Sequence, residues 1–215
     1  MTDRDIKKES LDQLSQIHNM MEQSSRFISL SGLSGVIAGL TALAGSFFAF
    51  INIKQAATID NPSMVCLNMH TINQDVILNL MAAGAVMLVV AISFGILLTF
   101  KKAKKKNQNI WSSTSKRLLI NLFIPLATGG IFTLILIKHQ LFGLVAPVTL
   151  LFYGLALLNA SKYTLHDIRY LGIFEIVLGL ISSYFIGYGL LFWAAGFGVL
   201  HIVYGAVMYF KYDRA

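Results

Sequence analysis

Residues 168–210 read IRYLGIFEIVLGLISSYFIGYGLLFWAAGFGVLHIVYGAVMYF. Two apolar runs, Tyr170–Ile186 and Leu190–Phe210, flank the turn Gly187-Tyr188-Gly189. Each run is close to the roughly 20 residues that a helix needs to cross the hydrocarbon of a bilayer. Glu175 is the only acid inside either run, and His201 lies near the middle of the second. Both stand thirteen residues from Tyr188, so an antiparallel helical hairpin sets them at one depth. Helical spacing puts Glu175 on a face with Gly172, Gly179 and Ser182, and His201 on a face with Ala194, Gly198, Gly205 and Met208. Small residues let helices approach closely in lipid. The pattern therefore predicts a Glu175–His201 contact, with Gly172 level with Gly205 and Gly179 level with Gly198.

Outward from this hairpin, four more runs have the same character: Phe27–Ile53, Val76–Phe100, Leu118–Ile137 and Leu141–Ala160. Hydrophobic residues make up 56% of the chain and charged residues 13%, about half the charge of a soluble domain. Strand-like alternation is absent, which excludes an outer-membrane barrel. The predicted fold class is an all-α membrane protein, a bundle of six transmembrane helices. Residues 27–210 form the membrane domain, 1–26 precede it and 211–215 follow as a cytoplasmic tail. The stripe Leu11, Leu14, Ile17 or His18, and Met21 predicts an amphipathic helix in the first segment.

Charge sets the orientation. Every Lys and Arg except Lys54 and Lys138 falls before span one, between spans two and three, between four and five, or after six. The positive-inside rule then makes both termini cytoplasmic. The net charge of +7 is accounted for by this asymmetry, with no soluble basic face to bind nucleic acid. The densest cluster, Lys101, Lys102, Lys104, Lys105 and Lys106, is predicted to contact anionic lipid headgroups, worth about 1 kcal/mol per lysine near the surface. The bilayer and its anionic cytoplasmic leaflet are thus the expected partners.

Span one carries Ser31, Gly35, Gly39, Ala42 and Ser46 along one face, with a GxxxG step from Gly35 to Gly39. Packing within the chain is the preferred reading of this face, and a homo-oligomer the alternative. Pro125 and Pro147 interrupt spans three and four and are expected to kink them. Interruptions at matching places in two halves would point to a transporter, but span six has no proline and no internal repeat is visible.

Enzyme signatures are missing. Cys66 is the only cysteine, and Cys66 with His70 gives two lone ligands, so no metal or cofactor is expected. The Gly32-Leu33-Ser34-Gly35 sequence stands in span one, whereas a rhomboid-type protease needs its serine in span four, which has none. Phe185-Ile186-Gly187-Tyr188-Gly189 shares GYG with potassium-channel filters, but Phe185 lacks the hydroxyl and the preceding helix is too long for a pore helix. The expectation is a protein without enzymatic activity, with a regulatory, sensory or scaffolding role. The alternative is a small-solute or proton-coupled transporter or channel using Glu175 and His201, because ionisable groups in the membrane mark such pathways.

The stretch Ser24–Gly35 and the tail from Asn159-Ala160-Ser161-Lys162 through Tyr209 resemble a family of six-span bacterial inner-membrane proteins with no assigned activity. Members are often encoded near a small winged-helix regulator. The resemblance spans the chain and implies a bacterial cytoplasmic membrane and a regulatory or stress context. It implies no site residues.

Overall fold

The computed structural model describes residues 13–14, 31–56, 74–105 and 112–214, and every regular element among them is helical. Six long helices follow one another: α1 Gly32–Ala56, α2 Gln74–Lys105, α3 Ser113–Lys138, α4 Val145–Ala160, α5 Asp167–Tyr184 and α6 Gly189–Asp213. Five are long and apolar enough to cross a membrane, α4 doing so together with the 3₁₀ turns at its ends. The sixth, α5, carries Asp167, Arg169 and Glu175 within eighteen residues, so composition alone does not mark it as a span. The predicted amphipathic helix and the loop holding Cys66 and His70 lie outside the described residues, apart from residues 13–14.

Local chemistry sets the ends of the elements. Ser112 caps α3, its hydroxyl accepting the Ser115 N–H at 3.1 Å. The α3–α4 turn passes through Gln140 at φ 59°, and the α5–α6 turn through Gly187 at φ 115°, a conformation that glycine adopts without steric cost. Pro125 lies inside α3. Pro147 departs from expectation: it sits in the first turn of α4, just after the 3₁₀ turn Phe142–Leu144. A proline there displaces no intrahelical hydrogen bond, so it starts the helix rather than kinking it.

The helices α1 and α4 to α6 pack together, with α2 and α3 on the outside. α2 lies on α1, α1 on α6, α6 on α4, and α4 on both α5 and α3. The outer faces are apolar and bare: Leu97, Phe123 and Leu191 are 64%, 68% and 67% exposed. Soluble monomers rarely expose such faces over large areas. Helices with every backbone group bonded internally are, by contrast, what hydrocarbon accepts.

The glycines form tight contacts, but not the pairs that the spacing suggests. A Cβ on Gly172 would lie 2.8 Å from the Gly154 carbonyl oxygen of α4, and one on Gly179 2.8 Å from Leu151. Gly205 faces α1, where a Cβ would lie 2.5 Å from the Val36 nitrogen. Gly198 meets Leu43, Gly35 meets Gly205, and Gly39 meets Gly198. Thus α5 presents its small face to α4, and α6 presents its own to the GxxxG face of α1. The cause is local. Residues Ala194–Leu200 of α6 form a π-helix, whose wider turns break the 3.6-residue period on which the single-face reading rests. Gly196 and His201 consequently face α4 and α5, while Gly198 and Gly205 face α1.

Residues 211–213, after the last apolar run, form a strap. Lys211 and Tyr212 each donate to Asp167 of α5 at 2.9 Å. Asp213 accepts from the Gly32 N–H at 2.9 Å and the Ser31 hydroxyl at 3.2 Å, capping α1, and pairs with Lys102 of α2. Lys102 is therefore turned inward, with its side chain only 11% exposed, unlike the headgroup contact predicted for it. Lys101, Lys104 and Lys105 are exposed, and Lys106 lies outside the described residues. Partial burial pushes the Asp167 carboxyl up, but the hydrogen bonds from Lys211 and Tyr212 and the nearby Lys211 and His166 charges outweigh it and hold it below its ordinary value.

Candidate functional site: a buried carboxylate, imidazole and phenol

Glu175 points from the middle of α5 past Leu150 of α4 toward the π-helical stretch of α6, and it is fully buried. Gly196 makes room for it: a Cβ there would lie 2.5 Å from Glu175 Oε2 and 2.6 Å from Leu150 Cδ2. Across this gap Glu175 Oε1 stands 3.4 Å from Nδ1 of His201. That distance is long for a hydrogen bond, and neither carboxyl oxygen has a hydrogen-bond partner among the described residues. The two side chains are therefore in contact without a hydrogen bond between them.

The imidazole is held from both sides. Nδ1 is 3.0 Å from the Gly196 carbonyl oxygen, and Nε2 is 2.7 Å from the Tyr153 hydroxyl of α4. Nδ1 faces only acceptors, the Gly196 carbonyl and Glu175, so it carries a proton. In the neutral ring Nε2 then accepts from the Tyr153 O–H. Phe197 packs the assembly, its centroid 4.9 Å from Tyr153, 5.9 Å from His201 and 4.9 Å from Trp193. Chemically, the arrangement is a line of carboxyl, imidazole and phenol in which Nδ1 keeps its proton and a second proton can rest on the Glu175 carboxyl or on His201 Nε2.

A cavity of about 140 Å³ opens beside this line, between α1, α4, α5 and α6. It touches Tyr153, His201 and Tyr204 but not Glu175. On the opposite side of Glu175 the next buried polar group of α5 is Ser182, whose hydroxyl has no partner among the described residues. Ser182 is seven residues further on, about 10 Å along a helix. The cavity thus meets the polar line at its His201–Tyr153 end.

Sequence spacing brings Glu175 and His201 into view, and the structure places them in contact. It does not reveal Tyr153, the stronger partner of His201. Tyr153 is one aromatic in an apolar run, and nothing in its neighbours distinguishes it from packing. The π-helix is equally invisible, since no proline or charge marks it. Among the described residues no three His, Cys, Asp or Glu side chains cluster as metal ligands would. Comparison of the chain with protein-family models, with curated proteins and with solved structures finds no match in any of the three.

Proposed function

We propose that this is a six-span protein of the bacterial cytoplasmic membrane, both ends inside, without enzymatic activity, in which the Glu175–His201–Tyr153 line serves a regulatory, sensory role by responding to protons. The observation that carries the reading is a fully buried carboxyl, without a hydrogen bond among the described residues, 3.4 Å from an imidazole that lines a cavity. A conduit needs polar groups or space continuing to both surfaces. A sensor needs only one exposed end and a buried group whose charge state alters packing. The titratable residue beside the line is Tyr204 of α6, which borders the same cavity as Tyr153 and His201.

The topology is supported by the strap. Asp213 meets the start of α1 and the lysine end of α2, and Lys211 meets the start of α5. These ends share one pole, as six antiparallel spans require, and it is the lysine-rich pole that the positive-inside rule makes cytoplasmic. The bacterial setting rests on the sequence likeness to the six-span inner-membrane family alone.

Transport is the second reading, and the cavity touching His201 favours it. Proton flux into proteoliposomes across a pH gradient separates the two. The sensory reading expects flux no greater than in empty vesicles. Flux that the Glu175→Gln substitution abolishes would establish the conduit instead.

A further inference from the structure

The π-helix of α6 is completed by a side chain. Such a helix bonds each carbonyl to the N–H five residues on, which for Gly196 is that of His201. The His201 N–H goes instead to the Gly198 carbonyl. Its ring stands in, with Nδ1 3.0 Å from the Gly196 oxygen in a buried contact. In a regular α-helix the Gly196 carbonyl accepts from the Leu200 N–H, four residues on. A buried carbonyl needs a donor, so withdrawing the ring leaves the α-helix as the register that satisfies it. A cause for withdrawal is built in. The Nδ1 proton faces two acceptors, the Gly196 oxygen at 3.0 Å and Glu175 Oε1 at 3.4 Å. An ionised carboxylate is the stronger acceptor, whereas a protonated Glu175 leaves the proton to Gly196. The other titratable groups near this contact are Tyr153 of α4, bonded to Nε2, and Tyr204 of α6; α1 brings none to the cavity they line.

We propose that Ala194–Leu200 is a two-register switch, π while His201 bonds the Gly196 carbonyl and α when Nδ1 turns to Glu175. The part of α6 before this segment is short, Gly189–Trp193, and follows the turn through Gly187. The part after it is pinned by Gly205 against α1 and by the strap. The short part is therefore the one that moves. Closing the π-helix takes one residue out of the bulge. Gly189–Trp193 then turns by about 100° and slides by about 1.5 Å, so that Leu190 comes to the place of Gly189. The inference deepens the sensory reading by naming the bistable element that the buried charge biases, and it rests on that reading for the part played by the proton.

Disulfide trapping reads the register, in the full-length protein in nanodiscs with Cys66→Ser as background and a glutathione buffer. A Cβ on Gly189 would lie 3.1 Å from that of Ala146, near the separation of about 3.5–4.5 Å that a disulfide spans. Ala146→Cys with Gly189→Cys therefore reports the π register, and Ala146→Cys with Leu190→Cys the α register. In acid the 146–189 pair should trap the better. At the same pH His201→Phe, which keeps an aromatic ring but no nitrogen, should move the ratio of the two yields toward 146–190 by about five- to tenfold, the value of one hydrogen bond. Raising the pH should move it the same way, and Glu175→Leu should abolish that shift; the ratio of two pairs at each pH cancels the titration of the thiols. The proposal is overturned if His201→Phe leaves the ratio unchanged or lowers both yields alike. If His201→Phe does not fold, His201→Leu replaces it, and if neither folds, a pH shift that persists in Glu175→Leu overturns the proposal. A ratio that follows His201→Phe but not pH sinks the sensory reading alone, and one that follows pH but not His201→Phe sinks this proposal alone.

Discussion

Replacing Glu175 with leucine should make the protein more stable. The carboxyl is fully buried, and neither oxygen has a hydrogen bond among the described residues. Burying a polar group without a compensating bond costs about 1–3 kcal/mol by protein mutational data. Against this stands the loss of the His201 contact. Interhelical polar contacts in membranes average only about 0.6 kcal/mol, and at 3.4 Å this one is long. His201 also keeps its bonds to Gly196 and Tyr153 when Glu175 is gone. The net is a gain of roughly 0.5–2.5 kcal/mol. For a chain of this size 1 kcal/mol moves Tm by about 2–4 °C, so Glu175→Leu should raise the apparent Tm by roughly 1–10 °C. The assay is thermal unfolding of detergent-solubilised wild type and variant at one pH and one lipid ratio. A carboxyl kept at a cost to stability belongs to function rather than to packing. A fall in Tm of several degrees would refute this reasoning and make Glu175 structural glue between α5 and α6.

Three further substitutions probe the frame around it. Gly205→Ala should destabilise by about 1–3 kcal/mol, because the added Cβ meets backbone of α1, 2.5 Å from the Val36 nitrogen and 2.7 Å from the Gly32 oxygen; the same thermal assay checks it. Tyr153→Phe should cost about 1 kcal/mol by removing the 2.7 Å bond to His201, and a double-mutant cycle with His201→Phe should recover most of that as coupling. Asp167→Asn tests the strap through pH. The Asp167 carboxyl is held below its ordinary value in the folded protein, so its contribution is complete above the unfolded value, about 3.9, and is lost as pH falls through the lower folded one. The variant should lack that loss, so the stability difference between it and wild type shrinks in acid; a constant difference from pH 7 down to pH 2 would contradict it.

The helical, apolar character was legible because length and apolar content decide it: the six apolar runs correspond to helices α1 to α6, five of them long and apolar enough to cross a membrane. A helix end was legible where chemistry marks it, at the turn through Gly187. What stayed hidden depends on side-chain neighbours. The 3.6-residue period put Gly198, His201 and Gly205 on one face, and the π-helix at Ala194–Leu200 separates them. Lys102 looked like any lysine of its cluster until Asp213, far away in sequence, turned it inward. Tyr153 carried no signal because a tyrosine in an apolar run reads as packing, and only the fold brings it to His201. Pro147 misled for a simpler reason: a proline kinks a helix interior but starts a helix when it stands in the first turn.

The central claim is that a proton is shared along Glu175, His201 and Tyr153. NMR of the ring nitrogens of His201 across pH tests it most directly, using protein with ¹⁵N-labelled histidine and the signal assigned by its loss in His201→Gln. Nδ1 should carry a proton at every pH, because it faces only the Gly196 carbonyl and Glu175. Nε2 should show a pH-dependent step, and Glu175→Gln should move its midpoint. A neutral ring with a bare Nδ1, or a step that Glu175→Gln leaves in place, would contradict the claim.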